Sequence, residues 1–297
     1  MSKDEGRILA DEERMSKGTR LADTLRGRST LDVFLAMVRA QALTLSRYPV
    51  NLAAGLLVSF GGVLALALAA QMFAPATSGA ASTLTGAMFY GYLLYVFLSD
   101  SLWRIGYSVR QDQIQGTFEG LYLTPAPKFA SLISRVVPLF VLTAGGAVLA
   151  LGAVNLIVGR LPAANIPLAI ALFVCSLVGT SGLGFCFAAY SLVAGDTAEA
   201  TGNFIEFALI VLCAMFFPFS VLPEPVRVLS RLVPLSYCVD AFRSTLLGFP
   251  SGFPELAPFE IELVIVVAYG VVTPILGYAL FRAVERRLRE NGRLGQY

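Results

Sequence analysis

Few side chains in this sequence are suited to catalysis, and they are far apart. There is no histidine, and the four cysteines lie in apolar stretches without a CxxC pair: Cys175, Cys186, Cys213 and Cys238. Histidine and cysteine are the usual zinc ligands, and histidine is the commonest general base. The sequence therefore predicts no metal site, and it favours packing roles for the cysteines over disulfide bonds.

Two acidic residues, Asp100 and Glu206, stand inside apolar stretches and are functional candidates for that reason. Arg104 follows Asp100 by four residues, so we expect these two to pair along one helix face. Glu206 is expected near the start of its helix, where it reaches water at the lipid headgroups. We interpret both acids as structural rather than as a proton relay.

The sequence also lacks the motifs of an enzyme. It contains no Gly-x-x-x-x-Gly-Lys-Ser/Thr loop, which would bind the phosphates of ATP, and no paired acids or Ser/His arrangement. We predict that the chain is not an enzyme, has no catalytic residues and binds no cofactor itself.

The composition places these residues in a membrane. Hydrophobic residues make up 56% and charged residues 14% of the 297 positions, against a charged share of roughly 25% in soluble domains. The net charge of +2 comes from nearly balanced acids and bases, so nucleic acid is not an expected partner. The fold class predicted is an all-α membrane protein.

Six apolar stretches have about the 20 residues needed to cross a bilayer as a helix. They are Pro49–Phe73, Leu84–Leu102, Val136–Val158, Pro167–Val193, Phe204–Leu222 and Phe259–Phe281. Arginine and lysine concentrate before the first stretch, after the second and after the last, which predicts that these segments are cytoplasmic. Both termini are then cytoplasmic, and the predicted location is the cell membrane with multiple passes.

The predicted organisation surrounds the spans with surface elements. Residues 1–30 are a cytosolic tail without signal-peptide features, 31–47 an amphipathic interface helix, 48–285 the six-helix transmembrane domain and 286–297 a second cytosolic tail. In the interface helix, apolar residues recur at helical spacing beside arginine, with Phe34, Leu35, Val38 and Arg39 as candidate site residues. The alternative is a lead-in turn of the first span.

A proline-stopped segment between the second and third spans, residues 109–127, is a candidate docking element. Its apolar side would suit a groove on another protein, although a plain connector is an equal alternative. The candidate residues are Asp112, Gly116, Thr117, Phe118, Glu119, Leu121 and Pro125.

A second unusual segment, residues 217–248, lies between the fifth and sixth spans. It is proline-punctuated and too apolar for a free loop, which predicts re-entrant outer helices that form a gate. The candidate gate residues are Phe217, Pro218, Phe219, Pro223, Pro234, Tyr237, Asp240 and Arg243. On the second span, Tyr90, Tyr92, Tyr95 and Phe97 are either core and interfacial aromatics or a wall for substrate.

These two segments resemble those of the type 2 permeases of ATP-binding-cassette (ABC) exporters. The first carries Asp112, Gly116-Thr117, Glu119 and Thr124-Pro125 in the family's order, with Ile114-Gln115 where charges are common. The second ends in Pro234, Tyr237, Asp240, Arg243 and Gly248, similar to the family's usual run of proline, aromatic, acid, arginine and glycine.

The resemblance implies a half-transporter that acts as a homodimer or heterodimer with a second permease subunit, in contact with membrane lipid. Two copies of an ABC ATPase subunit would bind ATP and Mg and press on 109–127. The substrate expected is amphipathic and drug-like, as in multidrug efflux, or a lipid. A polysaccharide or glycolipid exporter permease is an alternative. Alternatives from other classes are a proton-coupled secondary transporter, a membrane-bound enzyme and a membrane anchor without transport.

Overall fold

The structure is a computed structural model that describes residues 30–47, 49–73, 80–116, 128–157 and 159–291. Over these ranges it contains helices and turns but no strand, which confirms the all-α prediction. The first four helices are α1 (Thr30–Arg47), α2 (Pro49–Phe73), α3 (Ala80–Ser101) and α4 (Ser108–Ile114). The next three are α5 (Lys128–Ile157), α6 (Ile166–Ala194) and α7 (Ala198–Leu212). The last three are α8 (Glu224–Ser230), α9 (Pro234–Leu247) and α10 (Phe259–Glu290).

Shorter helical turns join several of these elements. A π-helical segment, Leu102–Tyr107, connects α3 to α4 without a break. Two 3₁₀ turns, Gly195–Thr197 and Phe219–Val221, lie before α7 and before α8. The π-helical segment is notable because such wide turns are rare and frequently accompany functional sites.

Three stretches of the described chain are long and apolar enough to cross a membrane. They are Leu132–Leu156, Ile166–Leu212 and Phe259–Glu290, judged by length and composition. Helices α2 and α3 begin at or before the predicted first and second spans, and α2 has the predicted bounds. The complete layout of six crossings stays a prediction.

The predicted span Phe204–Leu222 is wrong at its C-terminal end, because α7 stops at Leu212. The chain then turns through Ala214, whose φ of 46° is left-handed and cannot continue an α-helix. The 15 residues of α7 rise roughly 22 Å at 1.5 Å each, less than the roughly 30 Å of a hydrocarbon core. An apolar run alone does not show such a break.

Helices α6 and α10 form the most extensive helix pair, and glycine lets them approach. A methyl group added at Gly182 would overlap the backbone at Thr273 and Pro274, and one at Gly277 would overlap the Gly182 carbonyl group. Close backbone approach of this kind is the usual means of packing helices in lipid. The backbones of the two helices are therefore in direct contact at these glycines.

The outer surface of this pair is apolar and its polar residues point inward. Ile170, Val174 and Val178 of α6 are exposed at a spacing of four residues, as are Val267, Val271 and Ile275 of α10. Ser176 and Thr180 are buried and donate to carbonyl groups of their own helix. An exposed apolar stripe of this length is unusual for a water-soluble surface and suits contact with lipid.

Helix α1 covers the range predicted for the interface helix and packs on α5. Its half-buried residues are Phe34, Met37, Val38 and Gln41, which share one face. Leu35, predicted on that face, is 61% exposed, and Arg39 is also exposed. The position of α1 at the membrane interface stays a prediction.

Candidate functional site

The outer segment is held in place by a buried arginine. Arg243 of α9 has no exposed surface. Its Nη2 donates to the carbonyl oxygens of Ala214 and Met215, at 2.7 and 2.9 Å. Its Nη1 donates to the carbonyl oxygen of Phe217 at 3.1 Å. Arg243 therefore satisfies the carbonyl groups that the break after α7 leaves without helical partners.

The guanidinium group of Arg243 stays charged in this position. Burial lowers its pKa to about 10, while the charge of nearby Asp240 raises it. Because that value remains above neutral pH, the three hydrogen bonds to carbonyl groups are charge-assisted, which makes them stronger than neutral ones.

Asp240, one helical turn before Arg243, holds the loop that leads into α10. Its Oδ2 accepts hydrogen bonds from the backbone N–H groups of Glu255 and Leu256, at 2.7 and 2.8 Å. Burial raises the pKa of the Asp240 carboxyl group, and these backbone hydrogen bonds oppose that shift. The buried carboxyl group of Glu262 interacts with it from the first turn of α10.

The remaining predicted gate residues fall into two groups. Phe219 is buried with Ala214, Leu222 and Leu256 in a small cluster, against which Phe217 and Tyr237 pack. Pro218 is half-buried, whereas Pro223 and Pro234 are exposed and precede or begin the short helices α8 and α9. The structure thus brings most of the candidates into one packed unit, and their role as a gate stays a prediction.

The candidate docking element is described only up to Gly116. The described part consists of α4 followed by a turn at Gly116. The φ of Gly116 is 66°, a value that favours glycine. Asp112 forms an ion pair with Arg135 of α5, with its oxygen 2.5 Å from the guanidinium nitrogen. Thr117, Phe118, Glu119, Leu121 and Pro125 lie outside the described residues.

Helix α4 is also tied to the connection between α6 and α7. The side chain of Arg110, which is 4% exposed, donates to the carboxylate of Asp196 at 2.7 Å. Close by, the Tyr107 hydroxyl group donates to the carboxylate of Glu199 at 3.2 Å. A displacement of α4 together with the adjoining π-helical segment would therefore act on the turn before α7 and on the first turn of α7 through two polar contacts.

The four candidate wall aromatics do not share one surface. Tyr90 and Phe97 are buried in the core, where Tyr90 donates to the Pro162 carbonyl group and Phe97 packs on Phe140 and Phe173. Tyr92 is also buried in the core, and together with the half-buried Tyr95 it contacts Phe216, with ring centroids 5.0 to 5.6 Å apart. The core interpretation therefore fits Tyr90, Tyr92 and Phe97, a wall for substrate stays a prediction, and sequence reasoning did not find Phe216.

The expectations for the two intramembrane acids also change. Asp100 accepts a hydrogen bond from Thr143 of α5 at 2.9 Å, and the π-helical segment begins before Arg104, which alters the expected i, i+4 spacing. Glu206 is 8% exposed and accepts a hydrogen bond from the Trp103 indole at 2.8 Å. Glu206 is therefore buried between helices rather than bathed by headgroup water.

Together, these features define a class of protein. The described chain is a helical membrane protein with apolar outer faces and a polar network at one end. At the other end, the helix is interrupted after α7, and Arg243 binds the carbonyl groups at the interruption. Residues 105–247, which run from the π-helical segment to the end of α9, match the family described as ABC-2 type transporter. A search of curated proteins gave no match.

Residues 105–247 therefore carry the permease domain of ABC-2 type transporters, which supports a subunit of a membrane ABC transporter. The matched range contains the first segment that carried the resemblance in the sequence and all but Gly248 of the second.

Proposed function

We propose that this chain is the transmembrane permease subunit of an ATP-driven exporter in the cell membrane. A separate ABC ATPase binds ATP and Mg, and two copies of it act with two permease subunits, identical or related. The cargo is an amphipathic, drug-like or lipid molecule that leaves the cytoplasm. The observation that carries this proposal is the family match over residues 105–247.

The arrangement of α4 supports a role in receiving force from that partner. Its C-terminal end leads into 117–127, the part of the docking element that we propose contacts the ATPase. Helix α4 itself forms two ion pairs within the chain, Arg110 with Asp196 and Asp112 with Arg135. A push on the docking element then reaches α5 and α7 together, provided that these contacts differ between two global states.

The test is to ask whether an ABC ATPase of the same organism co-purifies with the chain and to measure ATP-driven export by that complex. We expect Glu119→Lys or Thr117→Pro to leave membrane insertion intact while ATP hydrolysis no longer drives export. Glu290→Lys is the matched control, because Glu290 is an exposed acid at the far end of α10. Normal coupled export in both test variants would remove the docking role.

A proton-coupled transporter is the second candidate, and one observation favours it. Asp240 and Glu262 are buried, and Asp240 Oδ1 and Glu262 Oε2 lack a donor among the described residues. A proton shared by the two carboxyl groups would satisfy both oxygens. Cargo movement driven by a pH gradient without ATP, and lost in Glu262→Gln, would favour this candidate over the first.

A further inference from the structure

A polar cleft lies beside the π-helical segment, between α1, α4 and α5. Its larger part has a volume of about 480 Å³ and adjoins a smaller part of about 260 Å³. Arg104, Ser108, Asp112 and Arg135 line both parts, and Gln41 of α1 closes the smaller one. A volume of this size is enough for a small ligand or a lipid headgroup.

Arg104 is the most accessible of the charged residues that line the larger part of the cleft. Asp112 and Arg135 form an ion pair, and Asp100 accepts a hydrogen bond from Thr143. Asp100 also lies near enough to Arg104 to interact with it electrostatically, but the two form no ion pair, and Arg104 alone of these four residues is exposed. Its guanidinium group therefore offers N–H donors to the cleft, and such paired donors bind phosphate.

The π-helical segment sets aromatic rings beside that guanidinium group. Trp103 and Tyr107 both line the larger part of the cleft and pack edge to face, with centroids 5.4 Å apart. The hydrogen bond from Trp103 to Glu206 fixes the indole ring. Tryptophan and tyrosine beside a cation suit the level of lipid headgroups, where one side of a ligand is apolar and the other is wet.

We propose that this cleft binds the phosphate-bearing headgroup of an amphiphile taken from the cytoplasmic leaflet, with Arg104 as the phosphate contact. Basic pockets between helices on the cytoplasmic side are suited to anionic headgroups. The amphipathic helix α1 forms one wall, so the cleft opens where acyl chains remain in lipid. This inference rests on the proposed orientation and deepens the proposed lipid cargo, since an uncharged sugar chain would make no use of Arg104.

The chain supplies its own reporter, because Trp103 is its single tryptophan and lines the cleft. The full chain is purified in detergent, and dioctanoyl phosphatidic acid is titrated while the tryptophan emission is recorded. We expect saturable binding that weakens about tenfold in Arg104→Gln, the loss of one charge-assisted contact, and less in Arg104→Lys. Arg289→Gln, an exposed arginine at the far end of α10, is the matched control and should bind as the parent does.

Two further ligands identify what the cleft recognises. Dioctanoylglycerol has the same chains without phosphate, and inorganic phosphate has the anion without chains. Weak binding of both supports the proposal. Equal binding of dioctanoylglycerol, saturation by inorganic phosphate at the same affinity, or unchanged binding in a folded Arg104→Gln variant would overturn it. The assay needs neither ATPase nor transport, so failure of ATP-driven export would leave its result intact.

Discussion

Arg243 shows how one residue makes a broken membrane segment tolerable. The chain leaves α7 after Leu212 and exposes carbonyl groups that hydrocarbon cannot satisfy. Three of them accept hydrogen bonds from Arg243, which is itself fully buried. Each such group would cost about 1–3 kcal/mol if left buried without a donor. The arginine in the family's outer motif therefore has a structural role in this chain. We call Arg243 and its three hydrogen bonds to carbonyl groups the Arg243 staple.

Gly91 of α3 provides the space that this staple needs. A methyl group there would overlap both the Arg243 guanidinium group and the Met215 carbonyl oxygen. We predict that Gly91→Ala destabilises the protein by about 1–3 kcal/mol, the usual cost of overpacking. Thermal unfolding of the purified protein measures this loss.

Gly152→Ala in α5 is the control for this prediction, because the added methyl group would meet nothing within 4 Å in the described ranges apart from its own stretch of helix. Its melting temperature should equal that of the parent or exceed it. Equal stability of Gly91→Ala and the parent would show that the packing of α3 against the staple is looser than the structure indicates.

At the scale of residues, sequence reasoning found Asp240 and Arg243 but not what they bind. Their partners are backbone groups of distant segments, at 214–217 and 255–256, and a backbone group carries no signal in the sequence. The partner of Glu206 is different, because Trp103 is the single tryptophan and directly follows the predicted second span. A buried indole N–H needs an acceptor, so that pairing had a signal that sequence reasoning missed.

At the scale of elements, α4 joins the predicted docking element to the spans. Arg110 is almost fully buried, whereas the side chain of Asp196 is 96% exposed, so their ion pair joins the interior of the molecule to its surface. The contact crosses from α4 to the turn that begins α7. It is placed to transmit movement rather than to add much stability, since an exposed partner is screened by solvent.

We predict that Arg110→Gln and Asp196→Asn each reduce the ATP-driven export rate several-fold while ATP hydrolysis continues. If the ion pair transmits the movement, the double variant is no worse than either single one, and the double-mutant cycle gives a coupling energy of about 1–2 kcal/mol. Export and hydrolysis rates in proteoliposomes measure both quantities.

The control is Arg227→Gln, which breaks the exposed ion pair between Arg227 and Glu224 in α8. That pair lies in the outer segment, away from α4, and its loss should leave coupling unchanged. Additive losses in the Arg110 and Asp196 variants would contradict a shared role in transmission.

The lengths of the apolar stretches predicted which helices form better than they predicted where those helices end. The bounds of α2 were predicted because proline and apolar composition mark them, and α6 was predicted to within one residue at each end. The fifth span failed because its apolar run continues past Leu212, while the turn depends on Arg243 from another helix. The π-helical segment was also missed, since no residue pattern distinguishes it from an α-helix.

At the scale of the whole molecule, the proposed function requires that the end of the molecule with α4 faces the cytoplasm and the end with the loop after α9 faces outward. Gln115 at the end of α4 and Ser251 after α9 are both exposed, so a cysteine at either position can react with a maleimide. We predict that a membrane-impermeant maleimide labels Ser251→Cys in intact cells and labels Gln115→Cys only after permeabilisation.

The native cysteines provide the baseline for this experiment. Cys213 and Cys238 are buried, and Cys175 and Cys186 are half-buried within α6. The parent protein should therefore label weakly under both conditions. Labelling of Gln115→Cys in intact cells would reverse the proposed orientation, and with it the docking element and the cytoplasmic cleft.

The central claim is that this chain moves cargo only when a separate ATPase hydrolyses ATP. The most direct measurement is the flux of a labelled phosphatidic acid in proteoliposomes that contain the chain with its ATPase, or the chain alone. We predict ATP-dependent flux with the ATPase and none when the Walker-A lysine of that ATPase is replaced. Flux by the chain alone, driven by a pH gradient without nucleotide, would contradict it.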